Sequence, residues 1–159
     1  MIINKIISPS NKSEFEKYYY FRWEYLRKKL NQKIGTERDD FDNLKSSTIH
    51  RMILNSSKER KIIGVGRIHQ NSLDTYQVRY FAIHKNYRRL GLGSYLMNDL
   101  ESQAIQYNSS HSNSLKLYIT LNARENALIF YEKFNYKNIK KTNLLFGKIQ
   151  HYEMRKKII

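Results

Sequence analysis

The segment 88–94, Arg-Arg-Leu-Gly-Leu-Gly-Ser, has the residue types and spacing that could hold a phosphate group. It leads from an alternating strand pattern into an amphipathic helix pattern, and N–H groups at a helix start lack intrahelical acceptors while the helix dipole favours anions. Gly91 and Gly93 would let the chain turn and let a bulky pyrophosphate approach the backbone. Arg88 and Arg89 would add charge-assisted hydrogen bonds. The segment therefore predicts a phosphate site, although glycine turns before helices are also common as plain structure.

A second motif follows about thirty residues downstream, and its presence strengthens the interpretation of the first. Residues 121–136 read LNARENALIFYEKFNY. Ala127, Tyr131 and Phe134 recur at helical spacing, which by itself favours a core role for Tyr131 over a catalytic one. Asn122 stands at a strand end, where asparagine is otherwise an ordinary cap or turn residue.

Together the two motifs resemble the acyl-CoA pyrophosphate loop and the following helix of the GNAT (N-acetyltransferase) superfamily. Further segments look like parts of small bacterial and archaeal members: Val65–His69, Gln77–Tyr80 and Phe146–Met154. Three positions depart from the family pattern. Arg89 stands where glycine is usual, Lys85 replaces a frequent proline, and Asn135 replaces the glycine that ends the helix. Asparagine is the non-glycine residue that best tolerates the left-handed conformation needed there.

The resemblance implies an acyltransferase that moves an acetyl group from acetyl-CoA to a primary amine by direct attack in a ternary complex, without a metal. It implies that the backbone of the strand before the loop pairs with pantetheine, that Asn122 bonds pantetheine, and that Tyr131 protonates the departing thiolate. The implied strand residues are Phe81, Ala82 and Ile83, and the implied loop residues are Arg88, Arg89, Leu90, Gly91, Leu92, Gly93 and Ser94.

The general base has two candidates, His69 and His151, because an imidazole has a suitable ordinary pKa. Gln77 occupies a position where some relatives carry a carboxylate, and a water chain is a further alternative. A lone histidine is more often a hydrogen-bonded structural residue, so both assignments stay open. An acidic cluster after the first helix borders the acceptor cleft in this fold and could attract an ammonium group, but its composition favours a solvated loop; it comprises Glu37, Asp39, Asp40 and Asp42.

The elements that must position these residues follow from hydrophobic periodicity. We expect an edge strand at 1–7 and a helix that begins at a Ser13/Glu16 capping box and ends before Gly35. The next helix should bury Leu96, Leu100 and Ala104. Strands are predicted at Ile49–Leu54, Lys61–His69, Tyr76–His84, 115–120, Tyr136–Lys141 and Ile149–Lys156. The resemblance implies an α/β GNAT fold: a twisted, mixed, mainly antiparallel sheet of about six to seven strands, flanked by about four helices and splayed at the fourth strand.

Composition limits the alternatives. With 159 residues we expect a single domain spanning 1–159. The absence of cysteine excludes disulfides, thiolate metal sites and a cysteine nucleophile, and fits a cytoplasmic setting. The formal net charge of +15 leaves open a non-enzymatic module that binds nucleic acid or acidic partners, but no nucleic-acid motif supports it and no membrane partner is expected. An acyl-CoA sensor without turnover, and a homodimer, also stay open.

Overall fold

The computed structural model describes residues 4–43 and 47–159 as a seven-stranded sheet with order β1-β2-β3-β4-β5-β7-β6. Only the β4–β5 pair is parallel, so the prediction of a mixed, mainly antiparallel sheet is confirmed. Three α-helices and several short 3₁₀ turns accompany it in this part of the chain. The strands are β1 Lys5–Ile7, β2 Thr48–Leu54, β3 Ile62–Ser72, β4 Thr75–Ile83, β5 Tyr118–Arg124, β6 Lys137–Lys141 and β7 His151–Lys157; the helices are α1 Lys12–Leu26, α2 Leu92–Tyr107 and α3 Leu128–Lys133. The first three residues of the predicted edge strand lie outside the described residues.

The start and end of α1 differ from the sequence prediction. Asn11, not Ser13, is the N-cap: its side chain accepts a hydrogen bond from the Glu14 amide at 2.9 Å, and the Glu14 carboxylate accepts one from the Ser10 amide at 2.7 Å. Asparagine caps a helix as well as serine does, so the sequence offered two similar starts. The helix ends at Leu26, well before Gly35, because Arg27 leaves the helical conformation.

The two faces of the sheet carry separate cores. Helices α2 and α3 cover one face, where Leu96, Leu100 and Ala104 are fully buried as predicted. Helix α1 covers the other face over β2, β3 and the end of β4, with Tyr18 and Val65 at its centre. Consecutive strand residues point to opposite faces, so polar side chains of β5 and β7 lie on the second face beyond α1.

The sheet splits between β4 and β5, which confirms the predicted splay at the fourth strand. Pairing runs only from Thr75 to Val78 on the β4 side and stops there. Tyr80 has φ of 54°, and the β3–β4 register shifts between Val65 and Arg67, which marks a bulge. A bulge bends its strand and re-aims the side chains beyond it. The remainder of β4 therefore turns away from β5 and leaves an open edge.

Candidate active site

The loop before α2 presents free backbone donors to solvent. Gly91 caps the helix with φ of 79°, and its carbonyl accepts the first helical hydrogen bond, from the Tyr95 amide at 3.0 Å. The amides of the intervening residues 92–94 have no protein acceptor in the described part of the chain. Together with the helix dipole they form a site suited to a phosphate group. The loop residues 88–91 are exposed, so this site is open to a ligand.

The two arginines of the loop hold different conformations. Arg89 has φ of 61°, in the left-handed region that glycine adopts most easily, which is the conformation expected at a position where relatives carry glycine. Arg88 is extended, and its Nε donates to the Ile83 carbonyl at 3.1 Å. Asn135 also has positive φ, at 65°, as predicted from its place after α3. The departures from the family pattern therefore preserve the backbone path.

The two glycines of the loop serve different purposes. A Cβ at Gly91 would meet no atom within 4 Å, so only the backbone conformation constrains that position. A Cβ at Gly93 would lie 3.2 Å from the Phe130 ring of α3. Gly93 is thus needed for the packing of α2 against α3, a role that the sequence did not indicate.

Tyr131 lies on α3 beside the split. Its ring is 8% exposed and makes edge contacts with Phe81 of β4 at 6.3 Å and with Tyr136 at 6.0 Å between centroids. Its hydroxyl has no hydrogen-bond partner among the described residues. Burial raises the pKa of Tyr131 above its usual value, so the phenol holds its proton at neutral pH. A protonated hydroxyl without a protein partner is available to a ligand in the split.

The two histidine candidates have different environments. His69 is fully buried: its Nε2 donates to Asn71 Oδ1 at 2.8 Å, and its Nδ1 accepts from Arg67 at 3.3 Å. Burial and the Arg67 charge lower the pKa of His69 to about 4. Both ring nitrogens are engaged, so this geometry favours the structural alternative, and we do not propose His69 as a base.

His151 is half-buried at the start of β7, on the face opposite α2 and α3. Its Nδ1 lies 3.1 Å from the Ile149 carbonyl, which makes Nδ1 the protonated nitrogen and leaves the Nε2 lone pair free. Burial lowers the pKa of His151, and the charges of Arg124, Arg27 and Arg79 lower it further. The imidazole is therefore neutral at neutral pH and able to accept a proton.

The acidic segment after α1 is neither a solvated loop nor an attractor for ammonium groups, because its aspartates pair with buried arginines. Asp42 accepts two hydrogen bonds from Arg22, at 2.8 and 2.9 Å, and lies 2.8 Å from Arg67. Asp39 accepts from Arg67 at 2.6 Å and from Arg79 at 2.7 Å. Burial opposes ionisation, but the hydrogen bonds and charges of Arg22 and Arg67 lower the pKa of Asp42 to about 2.

The other acidic residues of the segment also differ from the prediction. Glu37 is buried and accepts from the Gly35 amide, whereas Asp40 alone is exposed. The segment consequently has a structural role, since it covers and pairs with the arginines of β3 and β4.

A polar cleft of about 460 Å³ opens on the same face of the sheet as the acidic segment. Its wall includes Gln77 of β4, Asn122 of β5 and Glu153 of β7. The Asn122 side chain is exposed there, on the face opposite Tyr131, because its neighbours in β5 are buried under α2. Pantetheine binding by Asn122 stays a prediction.

Two arginines that the sequence did not single out are Arg27, which follows α1, and Arg124, which ends β5. The fold brings their side chains together near His151, as described below. Periodicity carries no signal for such a contact, since 96 positions separate the two residues.

The splayed mixed sheet, with the start of α2 and Tyr131 beside its split, has the architecture that the resemblance implied. Residues 41–158 match the family model described as an acetyltransferase (GNAT) domain. The chain therefore belongs to the GNAT acetyltransferase family and is an acyltransferase, which confirms the enzyme prediction.

Solved structures that are similar to this chain share the fold along nearly its whole length. An acyl-CoA N-acyltransferase from Pseudomonas aeruginosa has a TM-score of 0.73 at 16% identity and covers 98% of this chain and 99% of its own. Ard1 from Thermoplasma volcanium has a TM-score of 0.73 at 18% identity, with 98% of each chain covered. An aminoglycoside 6'-N-acetyltransferase complexed with coenzyme A has a TM-score of 0.70 at 14% identity. The match covers 99% of this chain and 97% of the other.

Two further observations concern residues 4–43 and 47–159. No helix there is both long and apolar enough to cross a membrane. No group of three or more histidine, aspartate or glutamate side chains in these ranges is arranged to hold a metal ion.

Proposed function

We propose that the protein transfers an acetyl group from acetyl-CoA to a primary amine by direct attack in a ternary complex. The free amides at the start of α2, next to the split between β4 and β5, carry this proposal, because they suit the pyrophosphate of CoA. The structural similarity to an acetyltransferase complexed with coenzyme A supports the same donor. Residues 88–94 would hold the pyrophosphate.

The open edge of β4 supports pairing with pantetheine. The His84 amide donates to the Ile63 carbonyl of β3 at 2.8 Å, so by alternation the peptide groups of Phe81 and Ile83 face the split, and those of Ala82 face β3. A cofactor lying along this edge would bring its thioester toward the bulge at Tyr80. Phe81 and Ile83 are therefore the donor-binding residues of this strand, with Ala82 between them.

The remaining steps concern protons. The amine nitrogen attacks the thioester carbonyl carbon, the C–S bond breaks, and the thiolate takes the hydroxyl proton of Tyr131. The attacking amine loses a proton to His151 Nε2, directly or through a water. Tyr131 and His151 lie on opposite faces of the sheet, which suits an acid and a base that act on opposite sides of one reacting carbon.

Substitution of Gly91 by valine should weaken acetyl-CoA binding about tenfold or more, because hydrogen bonds to charged groups contribute roughly 1.5–3 kcal/mol each and a β-branched residue resists the left-handed turn. Calorimetric titration measures the affinity. Gly35→Val is the matched control, since Gly35 also has positive φ and free space but lies away from the loop. Equal acetyl-CoA affinity in folded Gly91→Val and Gly35→Val would show that the loop does not hold the donor.

Substitution of His151 by glutamine should lower kcat by about 100-fold or more and remove the acidic limb of the rate profile, because loss of a positioned base typically has effects of about 10²- to 10⁴-fold. In the wild type that limb should lie below the ordinary histidine pKa of 6.5, since the pKa of His151 is lowered. His111→Gln is the control: this exposed imidazole also contacts a backbone carbonyl, at the far end of α2. An unchanged rate and profile in His151→Gln would make His151 a structural residue.

A further inference from the structure

Two arginines beside the proposed active site share one acceptor. Arg27 Nη1 and Arg124 Nη2 both donate to the Leu26 carbonyl, at 3.1 and 3.3 Å. Arg27 is 6% exposed and Arg124 is half-buried. No carboxylate of the described chain lies within 4.0 Å of either guanidinium. Arg27 Nε also donates to the Thr36 carbonyl at 3.0 Å, so two like charges are held close together by backbone carbonyls and, at Arg27, by aromatic rings.

The neighbouring arginines show how unusual this is. Arg22, Arg67 and Arg79 each contact Asp39 or Asp42, so these two aspartates are already shared among three cations. A buried charge without an opposite charge is unfavourable. The C-terminus of α1 supplies an equivalent of only about half a negative charge. Burial lowers the pKa of both arginines, and for Arg27 the charge of Arg79 and Arg124 contributes. The pair Arg27 and Arg124 therefore has no carboxylate partner among the described residues.

The position of the pair indicates what an anion bound to it would belong to. Arg124 is directly opposite His151 in the β5–β7 register, on the face away from Tyr131. The Phe146 ring, from the loop between β6 and β7, lies 5.3 Å from the Arg27 guanidinium, and the Tyr80 ring at the bulge lies 5.6 Å from it. The pair therefore lies beside the proposed base and beside Tyr80, at the bulge where the split begins.

We propose that Arg27 and Arg124 bind a carboxylate of the acceptor, so that the acceptor is an amine that carries a carboxylate, as an α-amino acid does. This inference rests on the proposed function and specifies its substrate class. Guanidinium groups suit a carboxylate because their N–H donors match its two oxygens. A carboxylate bound by this pair would direct the adjacent amine toward His151, because Arg124 is opposite His151 in the strand register.

The test compares α-amino acids with the amines that remain when the carboxylate is removed: phenylalanine with phenethylamine, and histidine with histamine. We expect the amino acid of at least one pair to have a kcat/KM about tenfold or more higher, the size expected for hydrogen bonds to a charged group. Arg124→Gln should remove this preference mainly through KM, without changing acetyl-CoA affinity. Arg155→Gln should retain the preference. Arg155 lies on β7 on the same face of the sheet as His151, and its guanidinium stacks on the Tyr118 ring.

Binding decides the inference separately from turnover. With CoA present, N-acetylphenylalanine should raise the melting temperature of the wild type more than N-acetylphenethylamine does, and Arg124→Gln should abolish the difference. Arg124→Gln should also melt no lower than the wild type without ligand, because it removes an unpaired charge. Failure to acetylate any amine would contradict the proposed function alone. Equal binding of both compounds, or a preference that Arg124→Gln leaves intact, would overturn the carboxylate site.

Discussion

Substitution of Tyr131 by phenylalanine is expected to lower kcat by about 10²- to 10⁴-fold, the usual effect of losing one positioned proton donor. The change removes only the hydroxyl and keeps the buried ring. Because that hydroxyl has no hydrogen-bond partner among the described residues, the free energy of unfolding and the acetyl-CoA affinity should change little. Steady-state kinetics and a thermal melt on the same preparation measure both quantities.

Tyr136→Phe provides the matched control. Tyr136 lies 6.0 Å from Tyr131 between ring centroids, and its hydroxyl donates to Glu101 at 2.9 Å. Loss of this hydrogen bond to a carboxylate should cost roughly 1.5–3 kcal/mol of stability while turnover per folded molecule stays unchanged. The two variants should thus have opposite effects. If Tyr131→Phe keeps its kcat, the leaving thiolate takes its proton from water or another residue. If the wild type binds acetyl-CoA but shows no turnover with any amine, the acyl-CoA sensor gains support.

Substitution of Asp42 by asparagine should lower the free energy of unfolding by about 3–5 kcal/mol, because it leaves the buried charge of Arg22 without a carboxylate and leaves Arg67 with Asp39 alone. Arg22 is fully buried and makes both hydrogen bonds of its fork to this carboxylate. Denaturant unfolding measures the loss. Asp40→Asn is the control, since Asp40 is the exposed neighbour in the same turn and should change stability little. Equal stability of the two variants would contradict a structural role for the ion pairs.

The same carboxylate gives a pH dependence of stability. The pKa of Asp42 falls from 3.8 to about 2 on folding, despite the opposing effect of burial, through the hydrogen bonds and charge of Arg22. A lowered pKa stabilises the fold above 3.8, and this contribution is lost as the pH falls toward 2. Melting temperatures measured across this interval should fall more steeply in the wild type than in Asp42→Asn. Parallel slopes would assign the acid sensitivity to other groups.

Local patterns in the sequence determined the parts of the site that depend on neighbouring residues. Glycine and arginine before an apolar helix specify the loop at the start of α2, because turn conformation and helix donors depend on a few adjacent positions. The spacing of Leu96, Leu100 and Ala104 specified the buried face of α2. Asn135 could be assigned a left-handed conformation for the same reason. The resemblance carried by these motifs was sufficient to predict the family and the mixed, mainly antiparallel sheet.

Tertiary structure decided the features that depend on residues far apart in the chain. Regular alternation along β4 would place Val78 and Tyr80 on one face of the sheet, but the bulge moves Tyr80 to the α1 side, where its ring lies 3.7 Å from the Arg22 guanidinium. The acidic segment looked solvated, because its sequence does not reveal the arginines that it covers. Arg27 and Arg124 meet only when the end of α1 packs beside the end of β5. A bulge and a shared charge site both arise from pairing between elements, so periodicity within one element cannot predict them.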